Sequence, residues 1–80
     1  MASLGDKRFL QQVGDRVRQL RAARGLTQAE LAAVSGLHRT FVGSVERGER
    51  NVALLTLRAI ARGLRVGVAD LLADPNPGRG

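Results

Sequence analysis

Apolar side chains recur along most of the chain at intervals of three and four residues, which is the spacing of one face of an α-helix. The pattern is clearest over residues 9–24, where Leu10, Val13, Val17 and Leu20 fall on one face. No segment alternates apolar and polar residues as a half-buried β-strand does. The pattern therefore predicts an all-α fold that opens with a helix over about these residues.

Glycines stand where the first three helices are predicted to end, at Gly25, Gly36 and Gly48. Glycine adopts a positive φ angle at little cost, so it commonly follows the last turn of a helix. Thr27 followed by Glu30 is the pattern of a capping box, in which each side chain bonds the backbone N–H of the other residue. We therefore predict a second helix from Thr27 to about Ser35 and a third helix over residues 39–47.

The rest of the chain predicts two more helices. After the polar loop ERGERN, a fourth helix is marked by apolar residues at helical spacing, namely Leu54, Leu57, Ile60, Ala61 and Leu64. A short fifth helix is expected over residues 68–73, and the tail DPNPGRG at residues 74–80 should be disordered because it is rich in proline and glycine. With a flexible arm expected over residues 1–8, the ordered domain covers residues 9–73 as a compact five-helix bundle.

Only a short turn around Gly36 separates the second and third predicted helices. Two helices joined in this way form a helix-turn-helix unit. Leu31 and Leu37 are apolar on either side of the turn, and Val42 and Val45 give the third helix an inner face. A continuous helix would lie flat on the core, whereas a broken one can present its second half to the major groove of DNA. The outward residues of the third helix are then Arg39, Thr40, Gly43, Ser44 and Arg47.

Four of these outward residues are candidates for reading DNA bases: Arg39, Thr40, Gly43 and Ser44. Arg39 can donate two hydrogen bonds to a guanine edge, while Thr40 and Ser44 suit hydrogen bonds or a thymine methyl contact. Gly43 costs about 1 kcal/mol relative to alanine inside a helix, and it leaves room for DNA to approach closely. Small polar residues occur on any surface helix, so the assignment depends on the capping box, Gly36 and the apolar spacing together.

The net charge of +6, from twelve arginines and one lysine against seven acids, favours a polyanionic partner such as nucleic acid. The charge does not indicate which surface binds, because three arginines and three glutamates cancel over residues 27–51. The absence of cysteine excludes disulfides and thiolate metal sites, and one histidine without paired carboxylates leaves little for an enzyme. We predict no catalytic activity, no cofactor and no metal.

Apolar runs in the sequence are too short for a membrane span, which needs roughly 20 residues. The N-terminus MASLGDKRFL lacks the apolar block of a signal peptide. We therefore expect a cytoplasmic protein. The basic first helix could bind an anionic membrane surface, but its apolar stripe is better explained by a core.

The segment GLTQAELAAVSGLHRTFVGSVERGERN resembles the helix-turn-helix of the phage repressor/Cro superfamily, also called XRE-like. The overlapping segment LHRTFVGSVERGERNVALLTLRAIARGL is similar to the controller proteins of restriction–modification systems. The resemblance covers about residues 10–73. It implies a sequence-specific transcriptional regulator of a bacterium or phage, associated with the nucleoid, that binds double-stranded DNA with its third helix in the major groove.

The resemblance also implies roles for individual residues. Gln28 matches a glutamine that bonds a phosphate and braces the reading helix, and Arg21 with Glu46 matches an ion pair that ties the first helix to the third. Arg50 and Asn51 match a loop that contacts the DNA backbone. The candidate backbone contacts are Gln28, His38, Arg47, Arg50 and Asn51.

Three residues depart from the controller pattern, and one of them is Ala53, which stands where a serine commonly caps the fourth helix. Phe41 replaces a tyrosine, and it either packs on a DNA sugar or fills the core. His38 replaces an acidic or hydroxyl residue at the start of the third helix, where it could cap the helix weakly, touch a phosphate or do neither.

Regulators of this kind bind as homodimers, because one reading helix contacts too few base pairs for specificity. The candidate dimer residues are Val66, Val68, Leu71 and Leu72, although Leu71 could instead close the core of the monomer.

Ala29 and Ala33 occupy the outer face of the second helix, where activators often carry acids for RNA polymerase. Repression is therefore favoured, with RNA polymerase as an open alternative partner. The alternative function is an antitoxin that binds a toxin protein and autoregulates its promoter.

Overall fold

Every regular element is an α-helix over residues 3–73, the range that this computed structural model describes. The helices are α1 Leu4–Ala23, α2 Gln28–Ser35, α3 Arg39–Glu46, α4 Leu54–Leu64 and α5 Val68–Leu72. The predicted all-α fold with five helices is confirmed. The predicted tail at residues 74–80 and the first two residues of the predicted arm lie outside the described residues. Within residues 3–73, no helix has the length and hydropathy that crossing a bilayer requires.

The first helix begins at Leu4 rather than at residue 9. Ser3 and Asp6 form a capping box at its start, in which each side chain accepts a hydrogen bond of 3.1 Å from the backbone N–H of the other residue. The prediction of a flexible arm is therefore wrong for residues 4–8. These residues are exposed, so they carry no apolar stripe, and only the spacing of Ser3 and Asp6 indicated the earlier start.

The helices pack around an aliphatic core to which all five contribute. Its largest fully buried side chains are Val17, Leu31, Val42, Ile60, Leu64 and Leu71. Of the two roles considered for Leu71, closure of the monomer core is confirmed and the dimer contact is wrong, because this side chain is 0% exposed within the monomer. Leu71 is the buried residue of the five-residue helix α5, with Val68 packed partly buried against the core, while Leu72 is 43% exposed.

Two glycines allow α1 to cross directly over the end of α3. A Cβ atom at Gly14 would lie 2.7 Å from the backbone oxygen of Glu46, and one at Gly48 would lie 2.7 Å from the Cα atom of Gln11. Any larger residue would therefore push the two helices apart at these points. The close contact fixes the C-terminal end of α3 against α1, while the N-terminal end of α3 is set by the turn after α2.

Candidate nucleic-acid interface

A sharp turn at Gly36 separates α2 from α3. Gly36 has a φ angle of 69°, and the backbone N–H of Leu37 donates to the carbonyl oxygen of Ala32 at 2.9 Å. This hydrogen bond closes α2, and the left-handed residue redirects the chain. The predicted break is confirmed, as is the capping box of Thr27 and Glu30 that begins α2. α3 ends at Glu46, with Arg47 as its C-cap.

One face of α3 packs on the core, and the opposite face is accessible at its start. Val42 and Val45 are 0% and 2% exposed, whereas Arg39 and Thr40 are exposed. Two of the four candidate base-reading residues are therefore free to meet a ligand. Both lie in the first turn of α3, which is the part of a recognition helix that enters the major groove.

Gly43 and Ser44 are buried, so their predicted outward exposure is wrong. Ser44 is 5% exposed, and its hydroxyl donates to the carbonyl oxygen of Phe41 at 2.7 Å while it accepts from Nε of Arg50 at 3.1 Å. A Cβ atom at Gly43 would lie 3.2 Å from Nη1 of Arg47. Helical spacing gives the direction in which a side chain points, but longer side chains nearby cover these two small residues.

Glu46 is the centre of a hydrogen-bond network that joins three helices. Its carboxylate is 3% exposed and accepts from Arg21 at 2.6 Å and 3.1 Å, and from Nε2 of Gln28 at 3.0 Å. Arg21 also donates to the carbonyl oxygen of Leu26 at 2.8 Å. The hydrogen bonds that Arg21 donates to Glu46 raise the pKa of Arg21. The predicted ion pair is confirmed, and Gln28 braces α3 through Glu46.

Burial of Glu46 changes the charge that α3 presents. Another glutamate of this region, Glu30, lies at the start of α2 rather than on α3. The hydrogen bond from the backbone N–H of Thr27 lowers the pKa of its carboxyl. Within residues 39–50, Glu49 is then the one exposed acid, against the exposed arginines Arg39, Arg47 and Arg50. Three arginines against one glutamate leave this surface positive, although the sequence segment as a whole is neutral.

The candidate backbone contacts flank α3 on both sides. His38 precedes it, is exposed, and makes no capping hydrogen bond through its side chain to the described residues. Arg47 is exposed and pairs with Glu49 at 3.1 Å, and Asn51 is exposed in the loop that follows. Phe41 packs partly buried against the core, which is one of the two roles considered for it.

Arg50 makes two contacts with α3 that the sequence did not suggest. Besides its hydrogen bond to Ser44, its guanidinium lies 5.5 Å from the centroid of the Phe41 ring. The turn at Gly48 is responsible, because it brings a residue beyond the end of α3 back over the helix. Spacing along a helix cannot indicate a contact made across such a turn.

A helix that follows a left-handed turn, exposes arginines and is held at its C-terminal end by hydrogen bonds to the two preceding helices is typical of a helix-turn-helix protein of the DNA-binding type. The model of the helix-turn-helix family matches residues 17–71, and the chain belongs to this family of DNA-binding transcriptional regulators. The family consists of regulators and not of enzymes. The resemblance inferred from the sequence is confirmed.

Its relatives include proteins that control restriction–modification systems. The chain is 50% identical over 60 residues to the control protein C.SmaI of Serratia marcescens. These residues cover 75% of this chain and 71% of the relative. The crystal structure of the restriction–modification controller protein C.AhdI from Aeromonas hydrophila matches with a TM-score of 0.76 and 47% identity, over 78% of this chain and 94% of that one. The structure of the hypothetical transcription factor NHTF from Neisseria matches with a TM-score of 0.81 and 36% identity, over 94% of this chain and 87% of that one.

Proposed function

We propose that this protein is a controller-type regulator that binds a two-fold operator as a homodimer, with α3 of each copy in the major groove. The observation that carries the proposal is the exposed pair Arg39 and Thr40 at the start of a helix whose far end is fixed to α1 and α2 through Glu46. A rigid mounting of this kind favours specific recognition, because little freedom is lost on binding. A DNA partner implies that the protein acts in the cytoplasm, at the nucleoid.

Within this proposal, Arg39 and Thr40 read bases, and the residues around α3 bind phosphates. Phosphate contacts supply affinity and salt sensitivity, whereas base contacts supply sequence choice. The proposed phosphate contacts are Gln28, His38, Arg47, Arg50 and Asn51. Gly43 and Ser44 are not included among the base readers, because their burial keeps them from a base edge.

Replacement of Arg39 by alanine is expected to weaken binding to the preferred operator by about 1–3 kcal/mol and to relax the preference at one base pair. The operator would be obtained by selecting duplexes from a random pool with the wild-type protein, and affinities would be measured by fluorescence anisotropy. Arg8→Ala is the matched control, since Arg8 is also exposed but lies on α1, outside the proposed DNA and dimer contacts. Failure of the selection to enrich any sequence would contradict specific recognition, and equal losses on preferred and scrambled duplexes would contradict the role of Arg39.

The proposed dimer contact lies on α4 and α5, where large apolar side chains remain exposed. Leu54 and Leu55 at the start of α4 are 72% and 69% exposed, and Leu72 in α5 is 43% exposed. Val66 and Val68 are half-buried against the core, so they can contribute only their outer edges. Burial of apolar surface against a second copy would stabilise both protomers.

Leu55→Glu is expected to weaken dimerisation about tenfold or more, because a carboxylate would be buried in an apolar contact. Sedimentation equilibrium across a concentration series would measure the dissociation constant. Val34→Glu is the control, since Val34 is 62% exposed but lies on α2, which carries none of the proposed dimer residues. An unchanged dissociation constant for Leu55→Glu would exclude this surface.

The outer face of α2 supports repression rather than activation. Ala29 and Ala33 are exposed there, and the carboxylate of Glu30 is bonded to the backbone of Thr27. Glu30 is the one acid of α2, and its hydrogen bond to the backbone of Thr27 holds its carboxylate at the start of the helix rather than free to reach RNA polymerase. Contact with the polymerase would need another surface of the protein.

A further inference from the structure

The guanidinium of Arg50 is held on two sides by side chains of α3. Its Nε donates to the Ser44 hydroxyl at 3.1 Å, and its central carbon lies 5.5 Å from the centroid of the Phe41 ring. An arginine over an aromatic face is attracted to the electrons of the ring. Neither partner carries a negative charge, so these contacts fix the position of the Arg50 guanidinium without neutralising its charge. Arg47 differs in this respect, because its Nε is paired with the carboxylate of Glu49.

The turn after α3 brings Arg50 to this position. Gly48 has a φ angle of 75°, its N–H donates to the carbonyl oxygen of Val45, and the N–H of Glu49 donates to that of Ser44 at 2.9 Å. These two bonds form a Schellman motif, which reverses the chain at the end of the helix. The next residue, Arg50, therefore returns alongside α3 rather than extending into solvent.

The Ser44 hydroxyl is itself oriented. Its proton is directed to the carbonyl oxygen of Phe41, 2.7 Å away, so its lone pairs are left for the Nε–H group of Arg50. Ser44 is 5% exposed, and it is therefore better placed to hold a neighbour than to reach a base.

We propose that Ser44 and Phe41 are positioning residues that hold the Arg50 guanidinium ready for a DNA phosphate, an inference that rests on the proposed function. Ser44 occupies only the Nε–H of the guanidinium. The terminal groups Nη1 and Nη2 have no acceptor within the part of the chain that the structure describes, and together they match two oxygens of one phosphate. Holding the side chain before binding lowers the entropy lost on contact with DNA.

A double-mutant cycle tests this role with the full chain and the duplex selected by the wild-type protein. Ser44→Ala is expected to weaken binding about 3- to 10-fold, the effect of one hydrogen bond. In the Arg50→Ala background, the same change should cause no further loss. Arg50→Ala should reduce the salt dependence of binding by about one phosphate contact, whereas Ser44→Ala should leave it unchanged because the charge of Arg50 remains. Ser44→Thr, which keeps the hydroxyl, should restore most of the affinity.

Phe41→Leu provides a second cycle that does not depend on the folding of Ser44→Ala. It keeps the apolar contact with the core and removes the ring, and its loss of affinity should also disappear in the Arg50→Ala background. Additive losses in both cycles would overturn the positioning role while leaving DNA binding intact. Failure of the wild-type protein to bind any selected duplex would instead overturn the proposed function.

Discussion

Replacement of Glu46 by alanine is expected to lower the free energy of unfolding by about 3–5 kcal/mol, the usual cost of removing one partner from a buried ion pair. The variant would leave Arg21, whose side chain is 17% exposed, without its carboxylate, and Gln28 without its acceptor. For a domain of this size, the melting temperature should fall by at least about 12 °C. Circular dichroism during heating and urea titration would measure both quantities.

Glu49→Ala is the matched control for this experiment. Glu49 also pairs with an arginine, but the two side chains are 57% and 58% exposed. Exposed pairs contribute about 0–1 kcal/mol because water already solvates both charges. Equal losses of stability for Glu46→Ala and Glu49→Ala would show that the network does not hold the helices together.

The destabilisation should also reach DNA recognition. Glu46 accepts hydrogen bonds from α1 and α2, so its removal loosens the C-terminal end of α3. Arg39 and Thr40 are unchanged in this variant, but the helix that carries them is held less rigidly. Affinity for the operator should therefore fall even at temperatures where the variant is fully folded. An Arg21→Met, Glu46→Leu double variant, which replaces the pair by apolar residues, should recover part of the stability.

Local signals in the sequence were sufficient for the helix-turn-helix itself. The capping box of Thr27 and Glu30 depends on residues three apart, and the turn at Gly36 depends on one glycine, so both are visible without knowledge of the fold. The ion pair of Arg21 and Glu46 was not visible in this way. It was inferred from the resemblance to a family, because residues 25 positions apart have no local pattern in common.

The errors in the site came from contacts made across turns. Ser44 points away from the core side of α3 by helical spacing, but it is covered because the Gly48 turn returns Arg50 over it. The apolar pattern near the C-terminus could not distinguish Leu71 from Leu72, since a five-residue helix is too short to define an inner face. In both cases, contacts with residues outside the helix decide which side chain is buried.

Gly14→Ala is expected to destabilise the protein by about 3 kcal/mol, at the upper end of the usual cost of overpacking. The added Cβ atom would lie 2.7 Å from the backbone oxygen of Glu46 and 2.9 Å from its carbonyl carbon. Backbone atoms cannot rotate away as the end of a side chain can, so α1 must shift relative to α3. This loss should exceed the gain of about 1 kcal/mol that alanine brings over glycine inside a helix.

Gly5→Ala separates the collision from helix propensity, because Gly5 lies in the same helix and, among residues 3–73, a Cβ atom there would meet only the Ser3 hydroxyl, at 3.7 Å. This variant should be as stable as the wild type or more stable by up to about 1 kcal/mol. Urea unfolding of both variants would give the comparison. If Gly14→Ala were stabilised as much as Gly5→Ala, α1 would not rest on the backbone of α3, and the fixed end of the recognition helix would need another explanation.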